Sequence, residues 1–151
     1  MINKLKKLYS KKDPSHNWNH IIRIKKNAEK ISKSYKSLDK KLLKFLIEFH
    51  GLKEYVEQNK KEFDKIFVKC LLRHNKNPKK IEEKIVHDAN LMDNLGKHGI
   101  KKALGYGKII KRDKKDTYEY LRRNTRNINF YTNEGKRIGK EQIKIMQRIL
   151  K

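Results

Sequence analysis

The stretch SHNWNHIIRIKKNAEKI, residues 15–31, repeats its apolar side chains at the period of an α-helix. These side chains fall three or four residues apart and would share one face: Ile21, Ile24, Ala28 and Ile31. A helix that starts near Ser15 or His16 would carry them. Similar stripes recur along the chain, and no stretch sustains the alternation of a β-strand. The sequence therefore predicts an all-α fold of about six to eight short helices.

The further stripes place most of the expected helices. They comprise Leu42, Phe45, Leu46 and Phe49; Phe63, Ile66, Phe67, Cys70 and Leu71; Ile81, Ile85, Ala89 and Met92; Tyr120, Leu121, Thr125 and Ile128; and Ile138, Ile145, Met146 and Ile149. Pro78 suits the first turn of the helix that carries the third of these stripes. Asp116, with Glu119 three residues later, resembles a capping box that opens the helix carrying the stripe from Tyr120 to Ile128.

The composition indicates one folded domain, over residues 1–151, with a heavily charged surface. Charged residues make up 38% of the chain. Ile, Leu, Val and Phe still make up about 26%, above the roughly 20% below which chains tend to be disordered. No apolar run approaches the roughly 20 residues that span a bilayer, and the N-terminus lacks the apolar region of a secretory signal. The single cysteine, Cys70, favours a reducing compartment such as the cytoplasm.

The net charge of +24 predicts anionic partners. Such a field attracts nucleotides, nucleic acid or an acidic membrane surface. Of these we expect a nucleotide or another phosphorylated small molecule, with nucleic acid as the alternative and no membrane partner. The basic run over residues 111–115 is expected to be solvated surface.

Six histidines make a metal site conceivable, since imidazole and carboxylate are good ligands for divalent metals. His16 and His20 are four residues apart and would share one helix face. Histidines that cap helices or face solvent are the competing interpretation.

Four segments, in order along the chain, resemble HD-domain metal-dependent phosphohydrolases of the small bacterial branch. The segments are DPSHNWNHIIRI at 13–24, FHGL at 49–52, DANLMDNLGKHGI at 88–100 and FYTNEGKRI at 130–138. The resemblance implies an all-α fold with a metal ion held between helices. It also implies hydrolysis of a nucleotide or another phosphorylated small molecule by metal-activated water.

Carried over residue by residue, the resemblance implies a set of site residues. The metal ligands would be His20, His50 and Asp88, for zinc, manganese or a similar ion. His74 would line the pocket as a catalytic residue, and Arg23 and His16 would meet phosphate oxygens. Two simpler roles stay open, since Arg23 could pair with a buried carboxylate such as Asp93 and His16 could act at a helix start.

The chain also departs from the motif. Gly51 stands where the family has a ligating aspartate, and Asn17 and Asn90 replace two further aspartates. The loss of three carboxylates predicts weakened or lost hydrolysis, with zinc still tolerated and manganese or magnesium bound poorly. The alternative function is an inactive HD-fold protein that binds a nucleotide or nucleic acid.

Two smaller hypotheses complete the sequence reading. The dipeptide His87-Asp88 could itself be the family's His-Asp pair, but its flanks fit the later motif better. Tyr106, between two glycines, is a weak candidate for contact with a ligand base.

Overall fold

The computed structural model describes all 151 residues and contains nine α-helices with no strand. The helices are α1 (Ile2–Tyr9), α2 (Trp18–Ser32), α3 (Lys40–Phe49), α4 (Lys53–Gln58), α5 (Lys65–Arg73), α6 (Ile81–Met92), α7 (Gly96–Ile109), α8 (Lys114–Thr125) and α9 (Asn133–Ile149). A short 3-10 turn, Lys60–Glu62, lies between α4 and α5. The all-α prediction is confirmed, with one helix more than the expected upper bound.

Helix starts differ from the predicted ones by a few residues. Helix α2 begins at Trp18, because the side chain of Asn17 accepts a hydrogen bond from the His20 backbone N–H at 3.3 Å. Pro78 lies before α6 rather than in its first turn. Asp113, not Asp116, caps α8: its carboxylate accepts from the Asp116 N–H at 2.7 Å, so Asp116 is the third helical residue.

The main core forms around α2 and α6, which pack against each other along their apolar stripes. Nineteen buried apolar residues from α1 to α6 join this cluster, so it holds most of the apolar burial of the chain. Tyr9 closes the cluster from α1 and is fully buried, with its ring 5.9 Å from that of Trp18. Ile66 is an exception to its predicted stripe, because its side chain is 58% exposed on α5.

A second, smaller core joins α7, α8 and α9. Its five buried members are Leu95, Ile100, Leu121, Met146 and Leu150. Gly96 allows the chain to turn from α6 into α7, since its φ of +67° is one that other residues rarely adopt. Gly107 allows α7 to approach α8, because a Cβ there would lie 2.8 Å from Thr117 Oγ1. The result is an antiparallel hairpin of α7 and α8.

None of the helices combines the length and the apolar character that crossing a membrane requires.

Candidate functional site

Four of the predicted site histidines lie side by side, and we call them the histidine row: His16, His20, His50 and His74. Neighbouring ring centroids are 5.7, 5.5 and 5.5 Å apart along the row. His20 lies in the first turn of α2, while His50 and His74 follow the last residues of α3 and α5. Three helix ends thus bring together residues that are far apart in sequence. All but His16 are buried.

Hydrogen bonds fix the tautomers at the inner end of the row. The Nδ1 of His74 lies 2.6 Å from the Leu71 carbonyl oxygen, which can only accept, so Nδ1 carries the proton. Burial lowers the pKa of His74 to about 4, which leaves its Nε2 as an acceptor at neutral pH. The Nδ1–H of His50 donates to that Nε2 at 3.3 Å. Burial also lowers the pKa of His50, so its own Nε2 carries a lone pair.

Asp93 organises the outer end of the row. Its carboxylate accepts from His20 Nδ1 at 2.7 Å, from Arg23 Nε at 2.6 Å and from Lys102 Nζ at 3.0 Å. Burial alone would raise the pKa of Asp93, but these hydrogen bonds outweigh it and hold the pKa well below its ordinary value. The open alternative for Arg23, pairing with Asp93, is therefore what the structure shows. His98, whose side chain is 46% exposed, also lies 3.5 Å from this carboxylate.

His20 is held on one side only. Its Nδ1 donates to Asp93, and its Nε2 is buried without any hydrogen-bond partner. No other buried side-chain nitrogen or oxygen is in this position. A histidine fixed by a carboxylate with its second nitrogen free is the arrangement that proteins use to present imidazole to a ligand or metal.

Asp88, the third predicted metal ligand, is engaged elsewhere. Its two oxygens accept from the backbone N–H groups of Tyr131 and Thr132 at 2.9 and 2.7 Å, and from Thr132 Oγ1 at 2.6 Å. These bonds attach α6 to the segment that leads into α9, where Thr132 is the N-cap. A carboxylate whose oxygens are this well satisfied supports the fold.

The residues present do not fit a metal centre with three protein ligands. His20 and His50 offer nitrogen lone pairs, but Asp88 is occupied and Gly51 has no donor. No three histidine, cysteine, aspartate or glutamate side chains are grouped so that they could hold a metal ion. A zinc or manganese ion at His20 and His50 stays a prediction.

Tyr9 occupies the space beside Gly51. The tyrosine hydroxyl donates to the Glu48 carbonyl at 2.8 Å and accepts from the Gly51 N–H at 3.2 Å. A Cβ at position 51 would lie 3.0 Å from the tyrosine ring, closer than an ordinary contact. Tyr9 is not among the site residues predicted from the sequence, because nothing local in α1 indicates a contact 42 residues away.

A cavity of about 450 Å³ opens beside the row, between the α7–α8 hairpin and the segment that precedes α2. Its volume lies within the range of small-molecule sites. Two cations, Lys102 and Arg112, line it together with the His16–Asp13 pair. Tyr106, Leu121 and Ile128 belong to its aromatic and apolar lining. The cavity thus combines cationic groups with an aromatic and apolar wall. Lys102, missed in the sequence, shares a helix face with Gly99 and Tyr106, which is the one signal that could have found it.

The phosphate roles predicted for Arg23 and His16 have different outcomes in the geometry. Arg23 is committed to Asp93 through two nitrogens, at 2.6 and 3.3 Å. His16 lies on the cavity wall and pairs with Asp13 at 2.9 Å. His16 is therefore placed to meet a ligand, and its role there stays a prediction.

The sequence matches no family model and no curated protein. Solved structures match over almost the whole chain. The Lin1889 protein from Listeria innocua is 25% identical with a TM-score of 0.74, over 98% of this chain and 88% of that one. Bacillus subtilis YpgQ in complex with ADP is 18% identical with a TM-score of 0.78, over 98% and 88%. YpgQ in a second crystal structure is 17% identical with a TM-score of 0.73, over 98% and 90%.

These neighbours have the HD-domain-like fold. The likeness confirms that fold for this chain and leaves its activity to be argued from the site.

Proposed function

We propose that this protein binds a nucleotide, or a similar phosphorylated small molecule, in the cavity beside the histidine row, and that metal-dependent hydrolysis is weak or lost. The observation that carries the proposal is the lining of the cavity, which combines the cations Lys102 and Arg112 with the aromatic side chain of Tyr106. Phosphate oxygens suit the first surface and a base suits the second. The ADP bound to YpgQ, which has the same fold, supports the same ligand class.

Lys102 is the group best placed to receive phosphate. Its ammonium donates to Asp93 Oδ2 at 3.0 Å and to Asn94 Oδ1 at 2.9 Å, which leaves one of its three N–H groups for a ligand. The two acceptors hold the side chain in place before a ligand arrives. Little ordering of Lys102 is then required on binding, which favours affinity.

Tyr106 and Leu121 provide the surface for a base. Tyr106 is 49% exposed on α7 and lines the cavity one helical turn after Lys102. A base that stacks on an aromatic ring gains about 1–3 kcal/mol. This is the contact that the sequence analysis expected of Tyr106, and it stays part of the proposal.

Calorimetric titration with ADP in the presence of a chelator tests the proposal. We expect ADP to bind without metal, and Lys102→Gln to weaken binding at least tenfold, by analogy with the loss of a charge-assisted hydrogen bond. Lys101→Gln is the matched control, since it removes the same charge one residue away at an exposed position. Absence of ADP binding with and without metal would contradict the proposal.

The second candidate is a working metal-dependent phosphohydrolase, which the unpartnered Nε2 of His20 favours. Under this candidate ADP binding would require zinc, and nucleotide turnover would fall in His20→Ala. Metal-free binding without turnover would leave the first candidate standing. The titration above, repeated with zinc and followed by phosphate release, separates the two.

A further inference from the structure

The tip of the α7–α8 hairpin exposes two adjacent isoleucines that the nucleotide site does not use. Ile109 is 65% exposed and Ile110 is 46% exposed, at the end of α7 and the start of the turn. Neither residue lines the cavity. The turn continues through Lys111, whose φ of +57° lies in a region that residues with side chains seldom adopt. Two large aliphatic side chains are thus presented to solvent at a chain reversal.

Cations surround this pair. Four exposed lysines lie within six residues of Ile109: Lys108, Lys111, Lys114 and Lys115. Two acidic residues, Asp113 and Asp116, offset part of this charge. Asp113 is the N-cap of α8, and its carboxylate is turned toward the backbone of that helix. The tip therefore combines an apolar point with a ring of flexible positive charge.

We propose that the hairpin tip docks on the surface of an anionic phospholipid membrane. Ile109 and Ile110 enter the boundary between headgroups and acyl chains, and the four lysines contact the anionic headgroups. This contact is peripheral and involves no spanning segment. It goes against the expectation of no membrane partner, which rested on the absence of a long apolar run.

Charge and side-chain type favour a lipid surface over nucleic acid at this tip. Sites for single-stranded nucleic acid combine cations with aromatic rings on which bases stack. The tip offers aliphatic side chains, and the two tyrosines of α8 are already faced by cations: the Lys114 ammonium lies 5.4 Å from the ring centre of Tyr118, and the Arg112 guanidinium lies 4.4 Å from that of Tyr120. The net charge of +24 complements an anionic membrane, whose attraction extends about a Debye length from the surface.

Vesicle flotation tests the proposal on the whole chain. Vesicles of phosphatidylcholine with about 30% phosphatidylserine are compared with pure phosphatidylcholine at about 0.1 M salt, where the Debye length is about 10 Å. We expect binding to the anionic vesicles only, and Ile109→Ser with Ile110→Ser to reduce it at least tenfold, since each loses several buried methylene equivalents. The matched control is Ile66→Ser, which removes a 58% exposed isoleucine between Lys65 and Lys69 on α5. It should leave vesicle binding within about twofold of the unchanged protein.

A fluorophore at the tip reports insertion directly. Ile110→Cys can be labelled selectively with a polarity-sensitive dye, because the only native cysteine, Cys70, is buried. We expect the emission to shift to shorter wavelength on anionic vesicles and to stay unchanged for the same dye at Ile66→Cys. Circular dichroism and ADP titration of the double serine variant check that fold and nucleotide binding persist.

Two results would overturn the proposal. One is absence of binding to anionic vesicles; if a single-stranded oligonucleotide then binds and the double serine variant weakens that binding, the tip is a nucleic-acid contact instead. The other is vesicle binding that the double serine variant leaves unchanged, which would mean that charge alone acts.

Discussion

The histidine row and the α7–α8 hairpin handle polar side chains in opposite ways. In the row, buried imidazoles and the Asp93 carboxylate hydrogen-bond one another, and His20 Nε2 is the one fully buried nitrogen without a partner. On the hairpin, lysines and isoleucines project into solvent beside a cavity. Breaking the hydrogen bonds of the row leaves buried polar groups unpaired, whereas a ligand can reach the hairpin without breaking any bond. We therefore expect the row to determine stability and the hairpin to determine binding.

Asp93→Asn should have the largest effect, because it removes the buried charge that Arg23, Lys102 and His20 share. Breaking a buried ion pair by removing one partner costs about 3–5 kcal/mol of unfolding free energy. Urea unfolding measures it. The control is Asp13→Asn, whose partner His16 is also exposed, and which should cost less than about 1 kcal/mol. Equal losses from both variants would contradict the central role of Asp93.

The difference in unfolding free energy between the unchanged protein and Asp93→Asn should depend on pH. The pKa of Asp93 is lowered in the folded state, so its stabilisation is complete above its ordinary value of 3.8 and is lost as pH falls through the folded-state value. The stability difference between the unchanged protein and Asp93→Asn should therefore narrow below about pH 4. A difference that stays constant from pH 6 to the lowest pH at which the protein folds would argue against this assignment.

Gly51→Ala tests the packing beside the row. The added methyl group would lie 3.0 Å from the buried ring of Tyr9, so one of the two must shift. Overpacking of this kind costs about 1–3 kcal/mol, which a shift in the urea midpoint would show. In a chain that already carries Tyr9→Leu, Gly51→Ala should cost less unfolding free energy than it does in the unchanged protein. If Gly51→Ala is stabilising, Tyr9 and α1 shift to accommodate the methyl group without loss of packing.

Gly105→Ala should have the opposite sign on the hairpin. A Cβ at this position meets nothing within 4 Å, and the residue lies inside α7. Replacing glycine by alanine in a helix gains about 0.5–1 kcal/mol. Thermal unfolding would show the gain, and a loss would reveal a contact that this face of the hairpin makes in solution.

The smallest expected effect is that of Asp88→Asn on the zinc content of the purified protein. Because no three ligand side chains are grouped to hold a metal ion, we expect well under one zinc per chain after dialysis, and no difference in Asp88→Asn protein that remains folded. Elemental analysis of the untagged protein gives the number. One zinc per chain, lost in His20→Ala, would mean that the row still forms a metal centre and would favour the hydrolase candidate.

Local patterns predicted the helices because each apolar stripe lies within one continuous stretch of the sequence. The α2 stripe of Ile21, Ile24, Ala28 and Ile31 is fully or almost fully buried, as its spacing required. Ile66 shows where periodicity fails to predict burial: its spacing fits the α5 stripe, but no neighbouring helix covers its side chain. Periodicity identifies a face, and only tertiary packing decides how wide that face is.

The structure brings together three buried histidines that the motifs singled out, His20, His50 and His74. The motifs could not show what else each residue contacts. Asp88 meets Thr132 across 44 positions, and Asp93 collects donors from α2 and α7. Both are aspartates of one motif, so sequence alone does not distinguish the one that supports α9 from the one that orients His20. That distinction depends on which helices meet there.

The contact between Tyr9 and Trp18 has a spectroscopic consequence. Trp18 is the only tryptophan, and it packs on the main core, 5.9 Å from Tyr9. Its emission therefore reports on the joint between α1 and α2, while the tyrosines at positions 106, 118 and 120 lie on the hairpin. Selective excitation of tryptophan would follow the opening of the row side of the molecule by itself. Comparison with circular dichroism would then show whether the two regions unfold together or in sequence.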